Sequence, residues 1–309
     1  MNVKDHKITS KDAAKMADSP YHDRDGHIWM DGEFVPWRDT KVHLLTHAMH
    51  YASAVFEGER AYAGKIFESR RHSERLHNSA GIMDFEIPFS VDQIEAAKTE
   101  ALAKSSLESA YVRAIAWRGS EMMGVSAQNN RIHLAVACWH WGDYFQDKMK
   151  GIRMTHAKWR RPDPQTAPCD AKAAGLYMIC TLSKHAAEKD GYQDALMLDW
   201  RGQVAEATGA NIFFVRDGAL HTPTPDCFLN GITRQTAIKL AKARQIEVIE
   251  RAIMPDELST FSECFITGSA AEITPVAEIG EHVFKPGEIS GNLVEDYAAL
   301  THGKIDIPS

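Results

Sequence analysis

Lys172 stands in Ala171-Lys172-Ala173-Ala174-Gly175, where small neighbours leave little room for a hydration shell. Desolvation disfavours an ammonium, so this lysine is expected to supply the nucleophilic amine that forms a Schiff base with a carbonyl. Glu206 follows in Val204-Ala205-Glu206-Ala207, a strand-like segment. A Schiff-base lysine with an acid for a pyridinium nitrogen is the pairing that pyridoxal phosphate calls for. A phosphate needs donors of its own. Gly231-Ile232-Thr233-Arg234 stands directly before an apolar-periodic helix, whose first amides lack internal partners and attract anions. Thr233 reads equally as a simple helix cap. Gly268-Ser269-Ala270-Ala271 is a second small-residue turn, either a plain tight turn or a backbone nest for an anion. Arg75 is one of several neighbouring arginines whose guanidinium fork suits phosphate.

Other chemistries find less support. His43, His47 and His50 fall at helical spacing, but no helix or nearby carboxylate or thiol is evident there, so no metal is expected. There is no G-x-S-x-G elbow, P-loop or G-x-G-x-x-G. The five cysteines (138, 169, 180, 227, 264) are odd in number, far apart and without a C-x-x-C pair. That fits neither zinc nor a disulfide framework and predicts a reducing cytoplasm. The net charge of −7 is scattered, with no basic tract for nucleic acid. The longest apolar run, near Ile132 to Trp139, falls well short of the ~20 residues that span a bilayer, so no membrane partner is expected. The polar N-terminus lacks the apolar segment of a secretory signal.

At 309 residues the chain is expected to form two domains, of α+β class. We read 1–140 as a small N-terminal domain, 141–149 as a linker where pattern breaks down, and 150–309 as the larger domain. His27–Met30 and Glu33–Trp37 flank Asp31-Gly32 as a hairpin. Ser90 and Gln93 make a capping box for a helix through Ile94, Ala97, Ala101 and Leu102. Tyr111–Trp117 and Ile132–Trp139 read as strands. Beyond the linker, Leu176–Lys189 and Thr233–Arg244 read as helices, the first ending at Gly191. Ala195–Leu198, Asn211–Val215, Ala219–His221 and Glu263–Ile266 read as strands, with turns at Arg201-Gly202 and Asp217-Gly218.

Eight short motifs in order resemble the class IV, or fold-type IV, pyridoxal-phosphate aminotransferases, and among them the branched-chain amino acid aminotransferases. They are His47-Ala48-Met49-His50-Tyr51, Val55-Phe56-Glu57-Gly58 with Arg60, Glu74-Arg75-Leu76 and Ser109-Ala110-Tyr111-Val112-Arg113. In the second half come Ala171-Lys172-Ala173, Glu206-Ala207 through Asn211-Ile212-Phe213, Gly231-Ile232-Thr233-Arg234, and Gly268-Ser269-Ala270-Ala271-Glu272-Ile273-Thr274-Pro275. The resemblance implies that Lys172 forms the Schiff base and moves a proton between the substrate α-carbon and cofactor C4′. Glu206 then holds the ring nitrogen protonated and Tyr177 faces the phenolic oxygen. Arg75, Gly231, Ile232, Thr233 and Ser269 bind the phosphate. Tyr111 and the Ser269-Ala270 turn receive the α-carboxylate, while Tyr51, Phe56, Gly58, Trp141 and Tyr144 wall the side-chain pocket.

Arg113, read with Tyr51 and Tyr144, would let one apolar pocket also accept the γ-carboxylate of glutamate. The implied reaction is a ping-pong exchange, through pyridoxamine phosphate, between leucine, isoleucine or valine and 2-oxoglutarate. Ser269 departs from the more usual threonine, Leu176 from asparagine, and Glu59 brings an acid where an apolar residue is common. Glu59 is expected either to pair with Arg60 or to alter side-chain preference, which keeps a D-amino acid or (R)-amine transaminase, or a lyase, as the alternative. A silent cofactor-binding protein would lack the lysine or the acid, and both are present. The family also implies a homodimer at least, and a cofactor buried between two domains predicts a mobile linker loop near 141–149 that closes over substrate.

Overall fold

The computed structural model describes residues 19–142, 145 and 148–306. The chain divides into two compact units, residues 1–142 and 143–309. Of the stretch read as a linker, 143, 144, 146 and 147 lie outside the described residues, and Tyr144 with them.

The first unit is a seven-stranded sheet carrying helices on one face. Its strands are β1 (His27–Met30), β2 (Glu33–Pro36), β3 (Ala54–Phe56), β4 (Glu59–Tyr62), β5 (Lys65–Ile66), β6 (Ala110–Arg118) and β7 (Ile132–His140); its helices are α1 (His47–Tyr51), α2 (Ser69–Ile82) and α3 (Val91–Ser105). The order β2-β1-β7-β6-β4-β5, with β3 also on β6, is antiparallel throughout. The Asp-Gly hairpin forms as read, with Asp31 and Gly32 both at positive φ. Ser90 Oγ accepts from the Gln93 amide and Gln93 Oε1 from the Ser90 amide, closing the capping box at the start of α3. That helix lays Ile94, Ala97, Ala101 and Leu102 onto Ala110, Val112, Ala114 and Ala116 of β6 in one core. Successive residues of a strand face opposite ways. With the even-numbered residues of β6 in the core, Tyr111 and Arg113 must stand on the other face.

The second unit contains β8 (Ile152–His156), β9 (Asp194–Leu198), β10 (Val204–Ala207), β11 (Asn211–Arg216), β12 (Ala219–Thr222), β13 (Val248–Glu250), β14 (Glu263–Gly268), β15 (Glu272–Ile279) and β16 (His282–Val283). Its helices are α4 (Tyr177–Lys189), α5 (Ile232–Ala243) and α6 (Glu288–Thr301). The order β10-β9-β8-β15-β14-β11 closes on itself through a pairing of β10 with β11, made by Glu206 opposite Asn211. One apolar cluster takes residues from all six strands of this ring, among them Met154, Leu196, Val204, Ile212, Ile266 and Val276. The odd positions of β11 and β14 therefore point away from it. Parallel pairings of β8 with β9 and with β15, and of β12 with β13, sit beside antiparallel ones. Both units are mixed, as an α+β chain requires. No helix among the described residues is long and apolar enough to cross a membrane.

Candidate active site

Lys172 lies just before a short 3-10 turn (Ala174–Leu176) that runs into α4. Its backbone neighbours Ala171 and Ala173 are buried, whereas Lys172 itself is half-buried. The amine is thus anchored by its neighbours yet reachable from outside. Nζ donates a 2.7 Å hydrogen bond to Tyr177 Oη, so the first residue of α4 sets where the amine rests.

Glu206 is 8 % exposed and sits where the ring of strands closes. Burial lifts its carboxyl to about 7, against the pull of the nearby Arg161 and Lys172 charges. The Arg161 Nε stands 3.3 Å from Oε1. On the other oxygen, Oε2, the Asn211 side-chain amide donates at 3.2 Å. Glu206, Asn211 and Thr267 form a row across β10, β11 and β14, pointing away from the apolar filling of the ring. Thr267 Oγ1 is buried and meets no hydrogen-bond partner among the described residues, an unmet polar group of the kind a ligand satisfies.

Gly231 is the N-cap residue of α5 and carries no side-chain cap, so the amides of the first turn are not taken up by their own helix. Its φ of −59° is ordinary. The glycine is there for closeness, since a Cβ would lie 2.3 Å from Asn211 Oδ1. Ile232 and Thr233 follow, both buried; Thr233 does not act as the cap. Ser269 and Ala270 form the turn between β14 and β15 and are half-buried. These features fit pyridoxal phosphate: an amine beside a phenol, a buried acid balanced by cations, an uncapped helix start and an unmet hydroxyl on the same face of the ring.

In the first unit, Tyr111, Arg113, Phe56, Gly58 and Trp141 come together. Arg113 Nη2 donates to Tyr111 Oη at 3.2 Å, and its guanidinium lies 4.6 Å from the centre of the Phe56 ring. The Tyr111 ring packs on Trp139 and Trp141 at 4.9 and 4.7 Å. A Cβ on Gly58 would meet Tyr111 Oη at 1.9 Å, so glycine here makes the space for that hydroxyl. Tyr51 is not part of this cluster: it stacks on His47 at 4.5 Å and is 44 % exposed.

One expectation changes. Glu59 pairs neither with Arg60 nor with a pocket. It faces the helices and accepts a 2.9 Å hydrogen bond from Lys98 Nζ, both side chains being fully buried. Period two explains this, for Glu57 and Glu59 share the helix face of the extended segment that leads into β4, while Gly58 and Arg60 share the other. Arg75 is held by Glu57, which accepts from its Nε and Nη2 at 2.7 and 2.8 Å, and from His72 Nδ1 at 2.7 Å. His43 precedes α1, so the three histidines do not share a helix; His47 is bonded to Ser53 Oγ and the Gly124 carbonyl. Asp199, Asp226 and Cys227 converge, but Arg201 bridges both carboxylates at 2.6 and 2.8 Å. Sequence reasoning gives no role to Arg161, Asn211 or Glu57. Asn211 and Glu57 do lie within family motifs; Arg161 has no signal, since Arg160 beside it is the same residue type and exposed.

An amine positioned by a phenol, with an acid fit for a ring nitrogen, on a closed ring of strands in an α+β chain, makes a site of the kind a pyridoxal-phosphate enzyme uses. The chain belongs to the amino-transferase class IV family, whose model matches residues 54–279. It is 39 % identical over 293 residues to a branched-chain-amino-acid aminotransferase of Pseudomonas aeruginosa, covering 92 % of this chain and 95 % of that one. A branched-chain aminotransferase from Thermoproteus uzoniensis, solved with norvaline, superposes with a TM-score of 0.87 at 34 % identity, over 90 % of this chain and 95 % of that one. A T.th. branched-chain amino acid aminotransferase complexed with N-(5′-phosphopyridoxyl)-L-glutamate gives 0.87 at 36 % identity, over 91 % and 96 %.

Proposed function

We propose that this chain is a pyridoxal-phosphate-dependent aminotransferase that exchanges amino groups between branched-chain L-amino acids and 2-oxoglutarate. The observation that carries the reading is the 2.7 Å bond from Lys172 Nζ to Tyr177 Oη in the same unit as the buried Glu206. The relatives support the substrate class, and one of them holds a phosphopyridoxyl group joined to glutamate.

Bound here, pyridoxal phosphate supplies an aldehyde for condensation with amines and a ring that stores the electrons freed at the substrate α-carbon. Lys172 Nζ would be the amine that condenses with that aldehyde, and when free it would be the base that carries the α-proton. Tyr177 Oη aims that amine. Glu206, its buried carboxyl drawn back toward the anion by the Arg161 and Lys172 charges, favours a protonated ring nitrogen. The amides of Ile232 and Thr233 and the turn at Ser269-Ala270 take the phosphate. Tyr111 Oη and the Arg113 guanidinium receive carboxylates, while Phe56 and Trp141 give an apolar side chain its surroundings.

The working form is a homodimer at least. Val42, Leu44, Leu45, Met49 and Tyr51 leave an exposed apolar patch along 42–51 that supports a second copy as cover. Five unpaired thiols support a reducing cytoplasm. A substrate panel tests the function: L-leucine, D-alanine and a chiral (R)-amine, each with 2-oxoglutarate or pyruvate. L-leucine with 2-oxoglutarate is the preferred pair; preference for D-alanine or the amine overturns the reading.

A further inference from the structure

We propose that Asn211 is a positioning residue that ties Glu206, at the ring-nitrogen end of the cofactor, to Gly231, where the phosphate-binding amides begin. The inference rests on the cofactor reading above. Asn211 is 5 % exposed and opens β11 directly opposite Glu206. Its Nδ2 donates to Glu206 Oε2 at 3.2 Å and to the Leu229 carbonyl at 2.9 Å. Its Oδ1 accepts the Gly231 N–H at 3.1 Å. Those partners leave the amide a single orientation, because its oxygen must accept the Gly231 N–H and its NH₂ must face the Leu229 oxygen. Both Nδ2 protons and the oxygen are therefore used, and they join two elements that no local turn connects.

Two features make this more than filling. The approach is so close that residue 231 has no room for a Cβ, which would stand 2.3 Å from Oδ1. The carboxylate is also shared: Arg161 stands at Oε1 and Asn211 donates to Oε2. Asn211 thus steadies the anion that faces a ring nitrogen while fixing how far away the first amides of α5 begin. A rigid ring with its nitrogen and its phosphate at separate ends needs that span set, since a displacement of about 1 Å at a reacting centre costs about 10²-fold in rate.

The test titrates cofactor-free wild type, Asn211→Asp and Asn211→Ala with pyridoxal phosphate and with pyridoxal, which lacks the phosphate, by fluorescence quenching. The pH midpoint of the bound-cofactor absorbance band is recorded alongside. Asn211→Asp keeps an oxygen for the Gly231 amide but loses the donations to Glu206 and to the Leu229 carbonyl, and sets a second carboxylate beside Glu206. Its midpoint moves by about one pH unit, and its preference for the phosphorylated form stays within about threefold of wild type. Asn211→Ala loses all three contacts, so the midpoint moves and the preference falls about tenfold. Wild-type midpoint and preference in both variants, with only a lowered melting temperature, overturn the inference. If Asn211→Ala does not fold, the Asn211→Asp midpoint decides, and an unmoved midpoint overturns it. A wild type that binds no pyridoxal phosphate defeats the cofactor reading itself, an outcome distinguishable from the others.

Discussion

Glu206 meets opposing demands: burial drives its carboxyl up to about 7, and the Arg161 and Lys172 charges draw it down. The site needs the anion, so the balance rests on Arg161 Nε at 3.3 Å and Asn211 Nδ2 at 3.2 Å. Replacing Glu206 by Gln leaves an amide that cannot hold a ring nitrogen charged. Steady-state assay is expected to show kcat down about 10²–10³-fold, with the melting temperature near wild type. Undiminished kcat in Glu206→Gln would remove Glu206 from the chemistry. Lys172 and Glu206 are legible in the sequence because each stands in an unusual run of small residues. Arg161 is not. What separates it from Arg160 is burial, set by a bridge to Asp199 that pairs residues distant in sequence.

β4 and the residues before it show how an element distributes chemistry. Glu57 and Glu59 face the helices and Gly58 faces Tyr111, so neighbouring residues serve separate sides of one sheet. In Gly58→Ala the new methyl collides with Tyr111 Oη and the ring must swing away. The expected result is kcat/KM down about 10²-fold with pyridoxal phosphate binding unchanged, read by titration and initial rates. On the helix face the two acids behave oppositely. Burial raises Glu57, but Arg75 and His72 outweigh it and hold its carboxyl well below the usual carboxylate range. For Glu59 burial wins over Lys98 and lifts it to about 8.

A group whose folded value is raised binds more protons when folded, so its contribution is full below 4.5 and is lost as pH rises through about 8. Urea unfolding at pH 6 and pH 8.5 should therefore show wild type losing stability, relative to Glu59→Gln, at the higher pH. Parallel behaviour of the two proteins would mean Glu59 is not raised. The hairpin, α3, β6, β7, α4 and α5 are legible because periodicity and caps agree over many residues. Short β5, β13 and β16 carry too few residues to show a period, and polar α2 shows few apolar positions. The face Glu59 takes is hidden because β4 is itself too short and too polar at its start to announce a strand.

For the whole molecule, what is least legible is closure. Glu206 opposite Asn211 completes a ring through a single facing pair, and no local signal announces which strands will meet. The exposed patch along 42–51 belongs to this scale too. Leu44, 71 % exposed, and Met49, 59 % exposed, are expected to be covered by a second copy. Sedimentation of Leu44→Asp/Met49→Asp should show monomers where wild type shows dimers or larger; unchanged assembly would place the interface elsewhere.

Lys172 and Glu206 are expected to run the amino-transfer chemistry of a branched-chain enzyme, and a half-reaction isolates their part. Purified protein loaded with pyridoxal phosphate is mixed with L-leucine alone, without any acceptor, and its absorbance is followed next to Lys172→Ala. Wild type is expected to convert its cofactor band to that of pyridoxamine phosphate and to release one equivalent of 2-oxo acid, with Lys172→Ala inert. Conversion by D-alanine but not L-leucine would overturn the branched-chain assignment, and undiminished conversion in Lys172→Ala would take Lys172 out of the chemistry.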